Sequence, residues 1–289
     1  MSDSATTKDE SHASRAHFAR EYRAVYFDLD GTLLDRRSEV PGATLTALSR
    51  LRRAGVKVGI ATGRMFRSAA AYASQVEADA PLIVYNGARV MHIDGGRVIF
   101  EMLLEREIAR IGLEAARSHR IHVNLYVGDD LYVESLDRYG EGFMTKEKLR
   151  PRQVEDLEAA MTADPVKMLL IGDPPLLRKC QAAITERAGP RATLVFSEVD
   201  YLEMLPGGVS KGLALRHSCE QLGIDTSQVV AFGDGENDAD MLRTAGWGVA
   251  MGNARPEAKA AAHHVTGCHS GDGVVSALRI AFPHVDLDG

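Results

Sequence analysis

The stretch Ala24-Val25-Tyr26-Phe27-Asp28-Leu29-Asp30-Gly31-Thr32 decides the fold. Four apolar residues run without alternation into two aspartates, a glycine and a threonine. Such a run is the pattern of a short strand buried on both faces, and the abrupt polar cluster marks where the chain leaves the sheet. The design recurs down the chain. Val56 to Ala61 precedes Thr62-Gly63-Arg64, and Leu82-Ile83-Val84-Tyr85 precedes Asn86-Gly87-Ala88. Val229-Val230-Ala231-Phe232 precedes Gly233-Asp234-Gly235-Glu236-Asn237-Asp238, and Gly248-Val249-Ala250-Met251 precedes Gly252-Asn253-Ala254. Helical signals lie between them. Pro41 opens a stretch in which Leu45, Leu48 and Leu51 share a face and Gly55 closes it, and Ser210 is placed to cap a helix that Gly223 ends. Alternating buried strands and helices predict an α/β fold with a Rossmann-like parallel sheet core covered on both faces. Ligands of such sheets bind at the carboxyl ends of the strands, so the polar clusters are expected to converge on one crevice.

The middle of the chain breaks this rhythm. Leu104 to Arg120 reads as a helix. Ile121 to Val127 and Leu131 to Ser135 read as strands around a Gly128-Asp129-Asp130 turn. A helix over Gln153 to Met161, a strand over Val166 to Ile171, a helix opened by Pro174-Pro175 and ending near Gly189, and strands over Thr193 to Phe196 and Tyr201 to Leu205 follow. This α+β pattern predicts a second domain over 88–204, inserted into a core made of residues 21–87 and 205–289. Residues 1–20, rich in Ser, Ala, Thr, His and charge, read as a disordered tail without the apolar centre of a secretory signal.

Bulk properties narrow the partners. Of 289 residues, 45% are hydrophobic and 26% charged, enough for a sizeable core without staples. The net charge of −6 and the lack of a Lys/Arg cluster argue against nucleic acid. No apolar run reaches the roughly 18 residues of a membrane span. Three widely spaced cysteines, Cys180, Cys219 and Cys268, suggest neither a disulfide framework nor a zinc site, and fit a cytoplasmic setting.

The polar clusters carry specific chemistry. An ionised Asp28 can attack phosphorus and form a mixed anhydride, while a protonated Asp30 can donate to a leaving oxygen and later accept a proton from water. Two aspartates beside Gly31 are also what a structural turn uses. Asp234 and Asp238 add carboxylates at a second strand end. A set of oxygen donors without His or Cys suits a hard cation, magnesium above all; helix capping or a solvated acidic loop is the plain alternative. Thr62 and Gly63 stand where a strand gives way to a helix, where backbone N–H groups favour anions, although an ordinary cap would use the same residues. Lys211 lies at a helix start, where a cation opposes the helix dipole unless an anion is near; a solvated surface lysine is the alternative.

Together these residues resemble the haloacid dehalogenase superfamily. The signature is DLDGTLL at 28–34, ATGR at 61–64, Lys211 in VSKG, and GDGEND at 233–238, in order over about residues 22–280. More narrowly the chain looks like the Cof-type branch, through NGA at 86–88, the large insert, LEMLPGGVSKG at 202–212 and MGNA at 251–254. The resemblance implies a magnesium-dependent phosphatase of small phosphate monoesters, sugar phosphates or related metabolites, working through an aspartyl-phosphate. It implies Asp28 as nucleophile and Asp30 as acid/base. The metal would be held by the side chains of Asp28 and Asp234 and the backbone carbonyl of Asp30, with Asp238 supporting or ligating it. Thr62, Gly63 and Lys211 would hold the phosphoryl group, Asn237 would contact phosphate or substrate, and the insert would be a cap that helps choose the substrate. A phosphomutase or dedicated sugar-phosphate phosphatase shares these motifs, and a binding module with a dead site is the rival from another class. Arg64 is expected to touch phosphate or a neighbouring carboxylate, and Trp247 to serve packing. His263, His264, Cys268 and His269 are expected to be structural or on the surface rather than a soft-metal site.

Overall fold

The computed structural model describes residues 21–94, 97–147 and 149–288; the expected tail over 1–20 lies outside them. The chain opens with β1 (Ala24–Phe27), all four residues of which are buried. It then passes through a wide turn over Leu29–Leu33 in which Leu33 N and Leu34 N bond the carbonyls of Asp28 and Leu29. Helix α1 (Gly42–Arg53) follows Pro41, burying Thr44, Ala47, Leu48 and Leu51, and leads to β2 (Lys57–Ile60). Helix α2 (Phe66–Gln75) begins after Met65, three residues beyond Thr62, so Thr62 is not its cap. The chain returns as β3 (Leu82–Val84).

Two strands that the sequence did not signal come next. β4 (Arg89–Met91) and β5 (Val98–Glu101) form an antiparallel sheet with β3, which continues the core through a parallel bridge between Ala61 and Ile83. Then come α3 (Arg106–His119), β6 (His122–Val127), β7 (Asp130–Val133), α4 (Arg138–Glu147) and β8 (Arg152–Gln153). They are followed by α5 (Leu157–Ala160), β9 (Lys167–Ile171), α6 (Pro174–Ala188), β10 (Ala192–Glu198) and β11 (Tyr201–Pro206). The sheet order is β10-β11-β9-β6-β7-β8, antiparallel except for β7 with β8. The expected helix over 153–161 is corrected to the single turn of α5. Gln153 and Val154 are held beside β7, with Val154 N bonding Val133 O, and Asp156 starts the helix late by accepting from Glu158 N.

The second half of the core runs α7 (Lys211–Leu222), β12 (Val229–Gly233), α8 (Ala239–Thr244), β13 (Trp247–Ala250), α9 (Pro256–Ala261), β14 (His264–Val265) and α10 (Gly273–Ala281). Ser210 Oγ accepts from Leu213 N, and Gly223 ends α7 in the left-handed region, as its sequence predicts. The core sheet has the order β14-β13-β12-β1-β2, every neighbouring pair parallel. This is the α/β fold with an inserted α+β layer. No helix of the described residues is long and apolar enough to cross a membrane.

Alternation in the inserted sheet matters for function. Val123, Leu125 and Val127 of β6, Met168 and Leu170 of β9, and Leu202 and Met204 of β11 pack under α3, α5 and α6 in one apolar cluster. Side chains in a strand alternate faces. The intervening Tyr126, Lys167, Leu169, Tyr201 and Glu203 therefore point the other way, toward the carboxyl ends of β1 and β12.

Candidate active site

Two loops meet at the ends of β1 and β12. Gly31 has φ +78°, and a Cβ there would collide with Asp234 Oδ2. Only glycine lets the first turn close against the second loop. Thr32 Oγ1 donates to Asp234 Oδ1 at 2.8 Å. Asp238 organises its own loop, its Oδ2 accepting from the N–H groups of Asp234 and Gly235 at 2.9 and 2.8 Å. Lys211, in the first turn of α7, is fully buried with Nζ 2.6 Å from Asp28 Oδ1 and 2.6 Å from Asp238 Oδ1. It stands on these carboxylates, neither exposed to solvent nor among the residues that line the cavity above them.

One ammonium does not offset three neighbouring carboxylates in a dry site. Burial pushes the Asp28 carboxyl well above its usual range; Lys211 pulls it back, and Asp238, Asp234 and Asp30 raise it further. Burial, then Asp238, push Asp234 up to about 7. Burial works against the charge of Lys211, but Asp238 and Asp28 outweigh it and keep the ammonium protonated.

The Thr62 side is built from three segments. Thr62 Oγ1 accepts from Arg64 N at 3.1 Å, and Asn86 N bonds Thr62 O at 3.0 Å. Asn237 Nδ2 donates to Asn86 Oδ1 at 2.9 Å. Asn86 is held at φ +55°, and the following Gly87, at φ +95°, lies so close to Ser210 O that a Cβ would clash. The Asn86-Gly87 turn thereby docks on the start of α7. Asn86 Nδ2 is buried without a hydrogen-bond partner.

These residues open on a cavity of about 430 Å³ between the core and the inserted sheet. Asp28, Asp30, Thr62, Gly63, Asp234, Asn237 and Asp238 line its floor; Tyr126, Phe143, Glu147, Lys167, Tyr201 and Glu203 line its roof. The Asp30 carboxylate does not join the other three. It is turned onto Arg64, which gives Nε to Oδ2 at 2.8 Å and a terminal nitrogen to Oδ1 at 2.7 Å. In the roof, Lys167 Nζ donates to Glu203 Oε2 at 2.8 Å and crosses to Gly63 O at 2.8 Å.

The sequence model of the family described as haloacid dehalogenase-like hydrolase matches residues 25–278. The chain belongs to the haloacid dehalogenase-like hydrolases. Within them it is of the Cof type. It is 32% identical to an HMP-PP phosphatase of Cronobacter sakazakii, over 91% of this chain and 96% of that one. It is 33% identical to an HMP-PP phosphatase of Klebsiella pneumoniae, over 83% and 87%. Among solved structures it resembles a haloacid dehalogenase-like hydrolase from Bacteroides thetaiotaomicron at 30% identity and a TM-score of 0.81, covering 90% of this chain and 99% of that one. This haloacid dehalogenase-like hydrolase is a phosphatase of small phosphate esters.

Phosphatases of the family use a divalent metal, and the residues present fit one. Asp28, Asp234 and Asp238 each offer an oxygen, all within 4.8 Å of one another. Three carboxylates opposed by one lysine leave negative charge uncompensated, and the all-oxygen set suits a hard cation. Three features of this hydrolase escaped the sequence. Helix α4, which carries Glu147, was hidden by Gly140 and Gly142, which weaken a helical pattern. Lys167 and Glu203 were detectable only as the charged members of alternating strands. The third is the position of His269, which lines the cavity and whose backbone N–H holds Asn253 Oδ1. The rest of the His263–His269 segment is structural or exposed: His263 Nδ1 accepts from Gly248 N, His264 stacks on the buried Trp247, and Cys268 is exposed.

Proposed function

We propose that the protein is a magnesium-dependent phosphatase of small phosphorylated metabolites that works through a phosphorylated Asp28. The observation that carries this reading is the contact of Lys211 with both Asp28 and Asp238 at the floor of the cavity, beside Asp234. That arrangement fixes one Asp28 oxygen and leaves the residue lining the cavity. Asp28 attacks phosphorus, the bond from phosphorus to the leaving oxygen breaks, and Asp30 supplies that oxygen with a proton. Asp30 then takes a proton from water as the water oxygen attacks phosphorus. The bond from phosphorus to Asp28 breaks and inorganic phosphate leaves. The Thr62 hydroxyl and Gly63 hold the phosphoryl group, Lys211 supports it from beneath through Asp28 rather than from within the cavity, and Asn237, which lines the cavity, contacts phosphate or substrate. Magnesium would be held by Asp28, Asp234 and the Asp30 carbonyl with support from Asp238, and would offset the repulsion between a carboxylate and a phosphate dianion.

Residues 21–87 and 205–289 are assigned as the catalytic core and 88–204 as a cap that closes over the site, with β4 and β5 of that insert packed on α7. The roof supplies aromatic rings and carboxylates, which suits a leaving group of small ring or polyol character. HMP-PP, named by the relatives, and sugar phosphates are the first candidates. Rapid acid quench with 32P-labelled ester, followed by peptide mapping, should place label on Asp28. Ordinary phosphate release from an Asp28→Asn enzyme would refute the covalent route. Ranking kcat/KM over HMP-PP and a panel of sugar phosphates then selects the leaving group.

A further inference from the structure

Arg64 occupies a junction that the proposed chemistry does not by itself require. Its side chain is 5% exposed and all three guanidinium nitrogens are engaged. Nε and one terminal nitrogen grip the two oxygens of Asp30 at 2.8 and 2.7 Å. The other terminal nitrogen donates to Ser68 Oγ of α2 at 3.1 Å and lies 3.1 Å from Glu147 Oε2 of α4. Ser68 Oγ in turn donates to Glu147 Oε2 at 3.0 Å. The Tyr72 ring lies 5.3 Å from the guanidinium carbon. The Glu147 side chain is 7% exposed, so this contact across the two layers is dry, whereas the Asp30 side chain remains 35% exposed where it lines the cavity.

A planar fork on both oxygens fixes the position and the plane of a carboxylate, which a single ammonium does not. Without it the Asp30 carboxylate, 35% exposed at the cavity, loses the contact that sets its plane, and misplacement of a proton donor by about 1 Å costs on the order of 10²-fold in rate. The fork is itself fixed from both layers, because Ser68 of the core and Glu147 of the insert take the remaining nitrogen. We propose that Arg64 is the positioning residue of Asp30, and that Glu147 of the cap completes it, so that the acid/base carboxylate is aimed only when the cap lies over the site. This rests on the reading of Asp30 as acid/base. Arg64 borders the cavity but spends its three nitrogens on Asp30, Ser68 and Glu147, so it acts through Asp30.

The test compares, by rapid-quench measurement of the phosphorylation step alone, an alkyl phosphate, whose leaving oxygen needs a proton, with p-nitrophenyl phosphate, whose leaving group needs little help. It uses the full-length magnesium-loaded enzyme and the variants Arg64→Lys, Glu147→Gln, Asp30→Asn and Arg64→Lys/Asp30→Asn. Thermal melts and magnesium titrations confirm that each variant is folded and binds metal. Arg64→Lys should slow phosphorylation of Asp28 by the alkyl ester by roughly 10–100-fold and leave the p-nitrophenol burst nearly unaffected, with half-saturating ester within about 3-fold, while the shared water-attack step slows alike after either ester. Glu147→Gln should show the same selectivity, at roughly 3–10-fold. In the Asp30→Asn background, Arg64→Lys should cost less than about 3-fold more, because its target is gone. Equal losses in the phosphorylation step on both esters, or losses there that multiply with those of Asp30→Asn, would overturn the positioning role while leaving Asp30 its own. If Asp30→Asn itself shows no preference between the esters in the phosphorylation step, the acid/base reading fails first and the positioning role falls with it.

Discussion

Lys211 is the side chain on which the balance of charge in the site turns. It is fully buried, and its ammonium faces Asp28 and Asp238 at 2.6 Å each. Lys211→Met keeps the volume and removes the charge, leaving both carboxylates without their cation. Breaking a buried pair in this way costs about 3–5 kcal/mol. Urea unfolding of the metal-free variant should show that loss, and millimolar magnesium should recover part of it, because the cation then carries the charge that lysine carried. An unchanged midpoint without metal would show that the lysine is not offsetting the carboxylates. Gly31 is the complementary case. Gly31→Ala places a methyl against Asp234 Oδ2 at a φ of +78°. Asp234 must shift, and the concentration of magnesium giving half-maximal activity should rise on the order of 10-fold, with little change in activity at saturating metal. Magnesium dependence matching the parent would mean that the turn yields instead of the carboxylate.

At the scale of elements, the inserted sheet shows how a strand serves two purposes. One face of β6, β9 and β11 is apolar and packs under helices; the other faces the cavity with the Lys167–Glu203 pair, whose side chains are 3% and 4% exposed. Lys167 also lies 4.9 Å from the centre of the Tyr126 ring. Lys167→Met leaves Glu203 buried without its cation, with the Ser197 hydroxyl donating to it at 3.1 Å. That variant should lose about 3–5 kcal/mol, and Lys167→Met/Glu203→Leu should regain most of it. Chemical denaturation of the four proteins of this cycle measures the coupling. If the double variant is no more stable than the single one, the pair is not the source of the loss. The apolar members of these strands are readable in the sequence from their alternation. The orientation of the charged members toward a cavity is not, since a polar residue alternating with leucine more often faces water. Helix α4 fails to declare itself for a different reason: its glycines lower local propensity, and it forms because Asp137 bonds the N–H groups of Tyr139 and Gly140 and because Phe143 and Met144 are buried.

For the whole molecule, the site costs stability when it holds no metal. Asp234 ionises near 3.8 when unfolded and near 7 in the metal-free fold. Between those values the folded state binds more protons than the unfolded one, so this group makes stability fall as pH rises, with its effect complete above about 7. The raised Asp28 carboxyl acts in the same direction. Metal-free protein should therefore have a lower urea midpoint at pH 8 than at pH 5.5 by this contribution. Magnesium should remove the difference by stabilising the ionised fold, by about 2.7 kcal/mol at a hundred times its Kd. Magnesium affinity should weaken below pH 7, where a proton must first leave. Metal-free midpoints that rise from pH 5.5 to 8, with no added effect of magnesium, would contradict the shared acidic cluster. Chelation should also stop turnover, and added magnesium should restore it.

The sequence by itself determined the class of the fold and the membership of the acidic floor. Buried parallel strands demand continuous apolar runs, and the turns that end them demand Gly, Asp, Asn and Thr, so Asp28, Thr62, Asp234 and Asp238 announce themselves locally. The approach of Lys211 to two of these carboxylates was beyond the sequence, because it joins residues separated by 183 and 27 positions through the packing of α7 against the sheet. The same holds for the turn of Asp30 away from the cluster and onto Arg64, and for the arrival of Glu147 and Lys167 over the floor. Those contacts depend on how two layers lie face to face, and the relative placement of layers is set by the fit of whole surfaces. Sequence periodicity records only which side of each element is apolar.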